Sequence, residues 1–244
     1  MQEQAEHMRY VSARMVRTVA QILASFSGCW LDVGCGNGSL LTTAAEFGFD
    51  ACGIDTRSEP VDALTALGYS CLCVDFEFFD APAESFHVVS MCDVLEHMPF
   101  PRRALAKVHR LLAPQGLVFL SMPNRDCLAW KLMDQNGTNP YWGELEHYHN
   151  FDRAGLYRLL QEHGLMPVYY GVSERYRAAM EVVAVKVGPL PPTATVDPAV
   201  AQPASVPPLS PASPLAVPAT PPPPSLSDQA LTTPTPPPEP YALQ

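Results

Sequence analysis

Two spacings of apolar residues alternate along the chain. Between residues 5 and 26 the apolar positions Met8, Val11, Met15, Val19, Ile22 and Leu23 fall three or four apart, which predicts an amphipathic helix. Short apolar runs then recur at 29–33, 51–54, 70–74, 86–91, 116–121, 166–171 and 180–186, and each reads as a buried strand. Helical spacing returns between them, at 38–47, 60–67, 101–112 and 152–163. Gly48, Gly68, Gly116 and Gly164 stand where helices stop or strands open. Asp152 precedes the last helix as an N-cap, with Phe151 as its staple. Alternation of strand and helix implies an α/β fold, a doubly wound, seven-stranded, mostly parallel sheet with helices on both faces. The last two strands have only a short connection, so they are expected to pair antiparallel at one edge.

Composition divides the chain. After Lys186 there are no basic residues, and 19 of the 27 prolines fall within 188–244. Such a segment has little apolar surface to offset the entropy of ordering, so 188–244 is read as a Pro-rich disordered tail. The expected organisation is a leading helix within 1–27 that covers the cleft, a globular domain over 28–187, and that tail. The net charge is −10, and the tail holds only Asp197, Asp228 and Glu239, so the folded part is also acidic. That balance argues against nucleic acid as a partner. One basic cluster, Arg102, Arg103, Lys107 and Arg110, lies on a predicted helix and reads as a solvated face. The seven cysteines include no C-x-x-C pair, and most sit in predicted buried strands as small apolar residues. Free thiols, no visible leader and no long apolar span lead to the expectation of a cytoplasmic protein.

The densest chemistry follows the first strand. Leu31-Asp32-Val33-Gly34-Cys35-Gly36-Asn37-Gly38-Ser39-Leu40 reads as strand, tight turn and helix. The glycines allow positive φ and a close approach of a ligand, and the turn is expected to aim free N–H groups of the following helix into the crevice. Three strands end in acids: Asp32, Asp55 and Asp75. A carboxylate after the second strand is placed to accept from both hydroxyls of a ribose. Asp75 with Phe76 after the third is placed to hold an adenine by its amino group and its face. The plainer reading, in which each acid caps the next helix, explains one of the three more easily than all three.

With GID at 53–55, VD at 74–75, FHVVSMCDVLEHMPFP at 86–101 and LLAPQGLVFLSMPN at 111–124, the chain resembles class I S-adenosylmethionine-dependent methyltransferases over residues 28–187. The resemblance implies their Rossmann-like sheet with the last strand reversed, and S-adenosylmethionine as cofactor. It implies that Asp32 and the turn of Gly34, Cys35, Gly36 and Gly38 face the methionine part, Asp55 the ribose, and Asp75 and Phe76 the adenine. Cys92, after the fourth strand, joins this cofactor set.

The acceptor is expected among the loops after the fourth and fifth strands and along the leading helix. Asp93-Val94-Leu95-Glu96-His97 supplies His97 as a proton acceptor, since imidazoles exchange protons near neutral pH. The stretch also resembles the ubiquinone-biosynthesis O-methyltransferases, whose acid-x-x-Glu-His pattern is thought to hold a divalent metal; Asp93, Glu96 and His97 match it with Asp for the usual Glu. In the alternative, followed here, Glu96 and His97 support the cleft without a metal. The segment 139–151 is rich in aromatics and holds His147 and His149, which alternate. It is read as a lid or acceptor pocket in which the two histidines form a base, a metal pair or a brace; the favoured reading has one bracing the lid and the other touching the pocket, which leaves His97, His147 and His149 as candidate catalytic residues. Tyr141 and Trp142 suit a flat or sugar-like acceptor, or form the core of the lid. On the leading helix Tyr10 and Arg14 lie one turn apart and are placed to face the cleft, with His7 and Arg9 on the surface.

These features favour a methyltransferase that acts on a small molecule, at an oxygen. A macromolecular acceptor, tRNA or protein, is the second reading. The chain lacks the Asn/Asp-Pro-Pro-Tyr/Phe signature of amino-group methylation, and Asn139-Pro140-Tyr141 has one proline and follows the wrong strand. A non-catalytic scaffold is the third, with Pro221–Pro224 and Pro236–Pro238 as polyproline ligands. The sequence does not specify an oligomeric state.

Overall fold

Each strand of the sheet divides its side chains between two cores. In β1 (Cys29–Val33), Trp30 points to one side of the sheet and Leu31 and Val33 to the other. In β4 (Phe86–Cys92), Val88 opposes Val89 and Met91. The same split separates Leu117 and Phe119 from Val118 and Leu120 in β5 (Leu112–Pro123), and Val183 from Val182 and Ala184 in β7 (Ala179–Lys186). A strand buried on both faces shows no polar alternation, which is why these segments read as continuous apolar runs. Burying a Leu or Val side chain of this kind is worth about 1.5–3 kcal/mol, so both cores contribute to holding the sheet between its helices.

A computed structural model describes residues 2–176 and 178–188. Helix α1 (Gln2–Leu23) lays Val11, Met15, Val16 and Val19 on one face of the sheet, beside Leu40 and Leu41 of α2 (Ser39–Glu46) and Leu64 of α3 (Ser58–Ala66). On the other face Leu105 and Val108 of α4 (Pro101–Leu111) and Leu156 and Leu160 of α6 (Arg153–Glu162) cover Val89, Met91 and Val118. With β2 (Asp50–Asp55), β3 (Ser70–Cys73) and β6 (Leu165–Val172), the sheet runs in the order β3-β2-β1-β4-β5-β7-β6. β7 is antiparallel to both neighbours and slots between β5 and β6, so β6 is the edge strand. Asp152 caps α6 by accepting from the Gly155 amide.

Two elements depart from expectation. β5 begins at Leu112, directly after α4, because Leu112 pairs with Phe86 before a bulge restores the register at Leu117. A helix not expected from the sequence, α5 (Leu128–Gln135), follows β5. Trp130 is its one buried residue, while Leu128 and Leu132 face outward, so no helical apolar stripe marks it. Its cap is a thiol: Cys127 Sγ accepts from the Trp130 amide. No helix among the described residues is long and apolar enough to cross a membrane. The expected tail beyond residue 188, with its polyproline runs, lies outside the described residues.

Candidate active site

The chain winds outward from β1 to β3 in one direction and from β4 to β5 in the other, so the carboxyl ends of β1 and β4 flank a switch point. Open α/β sheets bind ligands there. A cavity of about 1070 Å³ opens at this place. Gly34, Asp55, Asp75 and Phe76 line one side, and Asp93, His97, Phe100, Leu145 and Tyr148 the other.

The glycine turn is built for close packing. Gly34 has φ 69°, and a Cβ there would lie 2.6 Å from Val94 Cγ2. A Cβ on Gly38 would collide with Leu64 Cδ2. Four of the turn's own amides are taken up within the protein. Gly34 and Cys35 donate to the Ile54 carbonyl, Gly38 to the Cys35 carbonyl, and Gly36 to Asp55 Oδ2. The parallel neighbour β2 takes up three of these donors, those of Gly34, Cys35 and Gly36.

The three acids stand at or just past the carboxyl ends of their strands, each in a different setting. Asp32 is sealed between β1 and β4, where Ser90 Oγ donates to Oδ1 at 2.6 Å and Trp30 Nε1 donates to that same hydroxyl. Burial pushes its pKa up to about 7, against the opposing pull of the Ser90 bond and Arg175. Asp55 accepts from the Gly36 amide and from Arg57, whose Nε and Nη2 each lie 3.0 Å from one of its oxygens. Burial works against its charge, but these bonds prevail and hold the carboxyl below its usual range. Asp75 is exposed at the rim and accepts from the Glu77 amide. Phe76 is buried, with the Lys107 ammonium 5.3 Å from its ring centre. Cys35 and Cys92 do not line the cavity: Cys35 sits over Gly53, where a Cβ would be 2.8 Å from its sulfur, and Cys92 packs into the α1 core.

Across the switch point, Asp93 takes φ 54° between β4 and a 3-10 turn at Leu95–His97. Its carboxylate meets Arg175, from the connection between β6 and β7, at 2.7 Å. Burial raises the Asp93 pKa, and Arg175 and His97 oppose the rise. His97 Nδ1 donates to the Glu146 carbonyl at 3.0 Å, which leaves Nε2 with its lone pair. The His147 ring stands edge-on to His97, 4.5 Å between centres, and burial followed by His97 lowers its pKa. His149 is the brace: its amide donates to the Glu96 carbonyl and its Nε2 to the Pro99 carbonyl. The pattern Asp93, Glu96, His97 is not assembled as one ligand set. Asp93 is held by Arg175, and the donors that converge are Glu96, His97 and His147.

Aromatic contacts clasp the segment 139–151 to α5. Trp130 of α5 stacks on Tyr141 at 4.7 Å and meets Trp142 edge-on at 5.6 Å. Trp142 Nε1 and Asn139 Nδ2 both donate to Asp134 Oδ1. On α1, Arg14 binds Glu181 of β7 at 2.8 Å and Glu174 at 3.2 Å, while Tyr10 is largely exposed and Arg9 pairs with Glu46. The basic cluster on α4 is neutralised: Arg102 meets Glu162, Arg103 meets Glu77, Arg110 meets Asp80, and Lys107 donates to the carbonyls of Phe76, Glu77 and Phe79.

This sheet order and crevice are those of the class I S-adenosylmethionine-dependent methyltransferases. A family profile described as "Methyltransferase domain" matches residues 4–170, and the chain belongs to that family. S-adenosylmethionine is accordingly its cofactor. Among curated proteins, the ubiquinone biosynthesis O-methyltransferase of Pectobacterium atrosepticum is 37% identical over 110 residues, which is 42% of this chain and 45% of that protein. The protein of the same name from Actinobacillus pleuropneumoniae is 35% identical over 114 residues, 42% of this chain and 49% of that one. The chain thus matches less than half the length of these relatives. Among solved structures, Burkholderia thailandensis 1,6-didemethyltoxoflavin-N1-methyltransferase, with 1,6-didemethyltoxoflavin and S-adenosylhomocysteine bound, superposes with a TM-score of 0.58 at 20% identity, over 73% of this chain and 79% of that one. Magnesium protoporphyrin IX methyltransferase from Synechocystis, with S-adenosylhomocysteine bound, gives 0.56 at 22%, over 74% and 83%. These two likenesses are of fold.

Proposed function

We propose that this methyltransferase moves the methyl group of S-adenosylmethionine to an oxygen of a small, flat acceptor. The observation that carries the reading is His97. It lines the cavity across the switch point from the Gly34 turn, and its Nδ1 bond to Glu146 leaves Nε2 to accept a proton. The acceptor oxygen attacks the sulfonium methyl in line. A C–O bond forms, the C–S bond breaks, the pair of electrons returns to sulfur, and the hydroxyl proton passes to His97 Nε2. S-adenosylhomocysteine is released.

Asp55 takes the ribose in this reading. Arg57 is 67% exposed, so its side chain can swing away when the ribose hydroxyls replace it on the carboxylate. Asp75 and Phe76 hold the adenine, and Asp32 stiffens the start of the turn through Ser90. The exposed apolar side chains of Phe100, Leu145 and Tyr148 at the cavity suit an aromatic acceptor better than a charged one. The names of the ubiquinone relatives also point to an oxygen. The divalent metal that the same resemblance implies on Asp93, Glu96 and His97 does not fit that set, since Arg175 holds the Asp93 carboxylate, and no step here uses one.

The test is release of S-adenosylhomocysteine with a panel of catechols and phenols, alongside amines, tRNA and peptides. Turnover on the phenolic set is expected, with kcat about 10²–10⁴-fold lower in His97→Ala and unchanged affinity for S-adenosylhomocysteine. Turnover on amines or macromolecules alone, or a fully active His97→Ala, refutes the assignment.

A further inference from the structure

Cys35 and Cys71 meet over the second strand of the sheet. Cys35 stands in the glycine turn between Gly34 and Gly36, and Cys71 stands in β3. Gly53 of β2 lies between them. It pairs with Cys71 in the parallel register, so the two residues present the same face of the sheet. A Cβ on Gly53 would lie 2.8 Å from Cys35 Sγ, so the missing side chain is the space that this thiol fills. Both cysteines pack in the core beneath α1, where the Cys35 thiol donates to the Cys71 sulfur. Cys35 is buried and Cys71 half-buried, so one sulfur is sheltered and the other is within reach of solvent. Other cysteines are placed differently: Cys29 and Cys52 face the opposite core, and the Cys73 thiol donates to the Thr56 carbonyl.

We infer that Cys35 and Cys71 are a redox pair, and that a disulfide between them weakens the cofactor site. The oxidant is a peroxide. The Cys71 sulfur accepts from the Cys35 thiol and from the Gly53 amide, and these bonds hold its thiol below the usual range against the pull of burial. As the thiolate it attacks one peroxide oxygen. The O–O bond breaks, Cys71 becomes a sulfenic acid, and one water leaves. The Cys35 sulfur then attacks the Cys71 sulfur, the S–O bond breaks, and a second water leaves. Two thiols have given up two protons and two electrons, and one peroxide has become two waters. A bond brings the sulfurs closer than a thiol hydrogen bond does. Cys71 is held in the ladder between β2 and β3, so the turn that carries Cys35 must yield. That turn keeps the Gly36 amide on Asp55 Oδ2 and the Gly34 and Cys35 amides on the Ile54 carbonyl. Drawing Cys35 toward β3 strains these bonds at the carboxylate assigned to the ribose.

The inference rests on the reading that places the ribose on Asp55. Its test has two readouts. The full chain is treated with hydrogen peroxide, its remaining thiols are blocked, and its cross-linked peptides are mapped by mass. S-adenosylhomocysteine is titrated calorimetrically into the reduced protein, the oxidised protein, and the oxidised protein after dithiothreitol. Expected is a Cys35–Cys71 bridge within one chain. Affinity should fall at least about tenfold on oxidation, the loss of one hydrogen bond to a charged group, and return on reduction. Dithiothreitol reverses a disulfide but not a methionine sulfoxide, so recovery excludes damage to methionine. Cys71→Ser should bind as reduced wild type and keep its affinity in peroxide, whereas Cys73→Ser should respond as wild type. Should Cys71→Ser misfold, the mapped bridge and the recovery in wild type carry the test. A bridge between other cysteines or between two chains, a Cys35–Cys71 bridge that leaves affinity unchanged, or a Cys71→Ser protein that loses affinity in peroxide as wild type does, overturns the switch. A reduced wild type that binds no S-adenosylhomocysteine refutes the site reading and the switch with it, and is told apart from failure of the switch alone by that reduced titration.

Discussion

Asp32 shows how burial at one residue sets the response of the protein to pH. In the unfolded chain it titrates in the usual carboxylate range; folded, it titrates at about 7. The folded state then binds more protons than the unfolded state between those values, and stability is lost as pH rises through that window. Ser90 and Arg175 soften the loss and Asp55 adds to it. We expect Asp32→Asn, without cofactor, to melt higher than wild type above pH 7. The expected gain is at least about 1 kcal/mol, or about 2–4 °C for a domain of this size. Equal melting curves at pH 5 and pH 8 would show that Asp32 is not held neutral. At this scale much of the site was legible. Acids at the ends of apolar runs marked Asp32, Asp55 and Asp75, and a histidine beside an acid marked His97. Arg57 and Arg175 were not legible, because each is defined by a partner that only the fold brings near. Glu181 was legible and missed: a lone charge inside the apolar run 179–185 must find a cation when buried.

That cation is Arg14, and the pair belongs to the scale of elements, since it fastens α1 to β7. Removing one partner strands a buried charge, which costs about 3–5 kcal/mol for a sealed pair. Arg14 keeps 24% of its side chain exposed, so Arg14→Met should cost less, about 2–3 kcal/mol. The double change Arg14→Met with Glu181→Gln should recover most of that loss in urea unfolding. Strictly additive losses would show that the pair contributes nothing to docking α1. The elements themselves were legible wherever burial imposes a period. Strands covered on both faces gave apolar runs, and α1, α4 and α6 gave spacings of three and four. Helix α5 gave neither, because a single tryptophan anchors it and a thiol caps it. The lid was legible in composition but not in pairing. Sequence showed two alternating histidines, and only the fold shows His149 bracing the turn while His147 meets His97.

For the whole molecule, the reversal of strand order between β1 and β4 brings together residues that the chain keeps far apart. One wall of the crevice comes from the turns after β1, β2 and β3, and the other from the turn after β4 and the lid. Local pattern reveals each turn, and only topology makes them one site. The account stands on that crevice being the S-adenosylmethionine site with Asp55 at the ribose. The direct test is calorimetric titration with S-adenosylhomocysteine of the full chain and of Asp55→Ala. Micromolar binding to wild type is predicted, weakened at least about tenfold in the variant, since hydrogen bonds to a charged group are worth about 1.5–3 kcal/mol each. No binding to a folded wild-type protein, or equal binding to both, would contradict it.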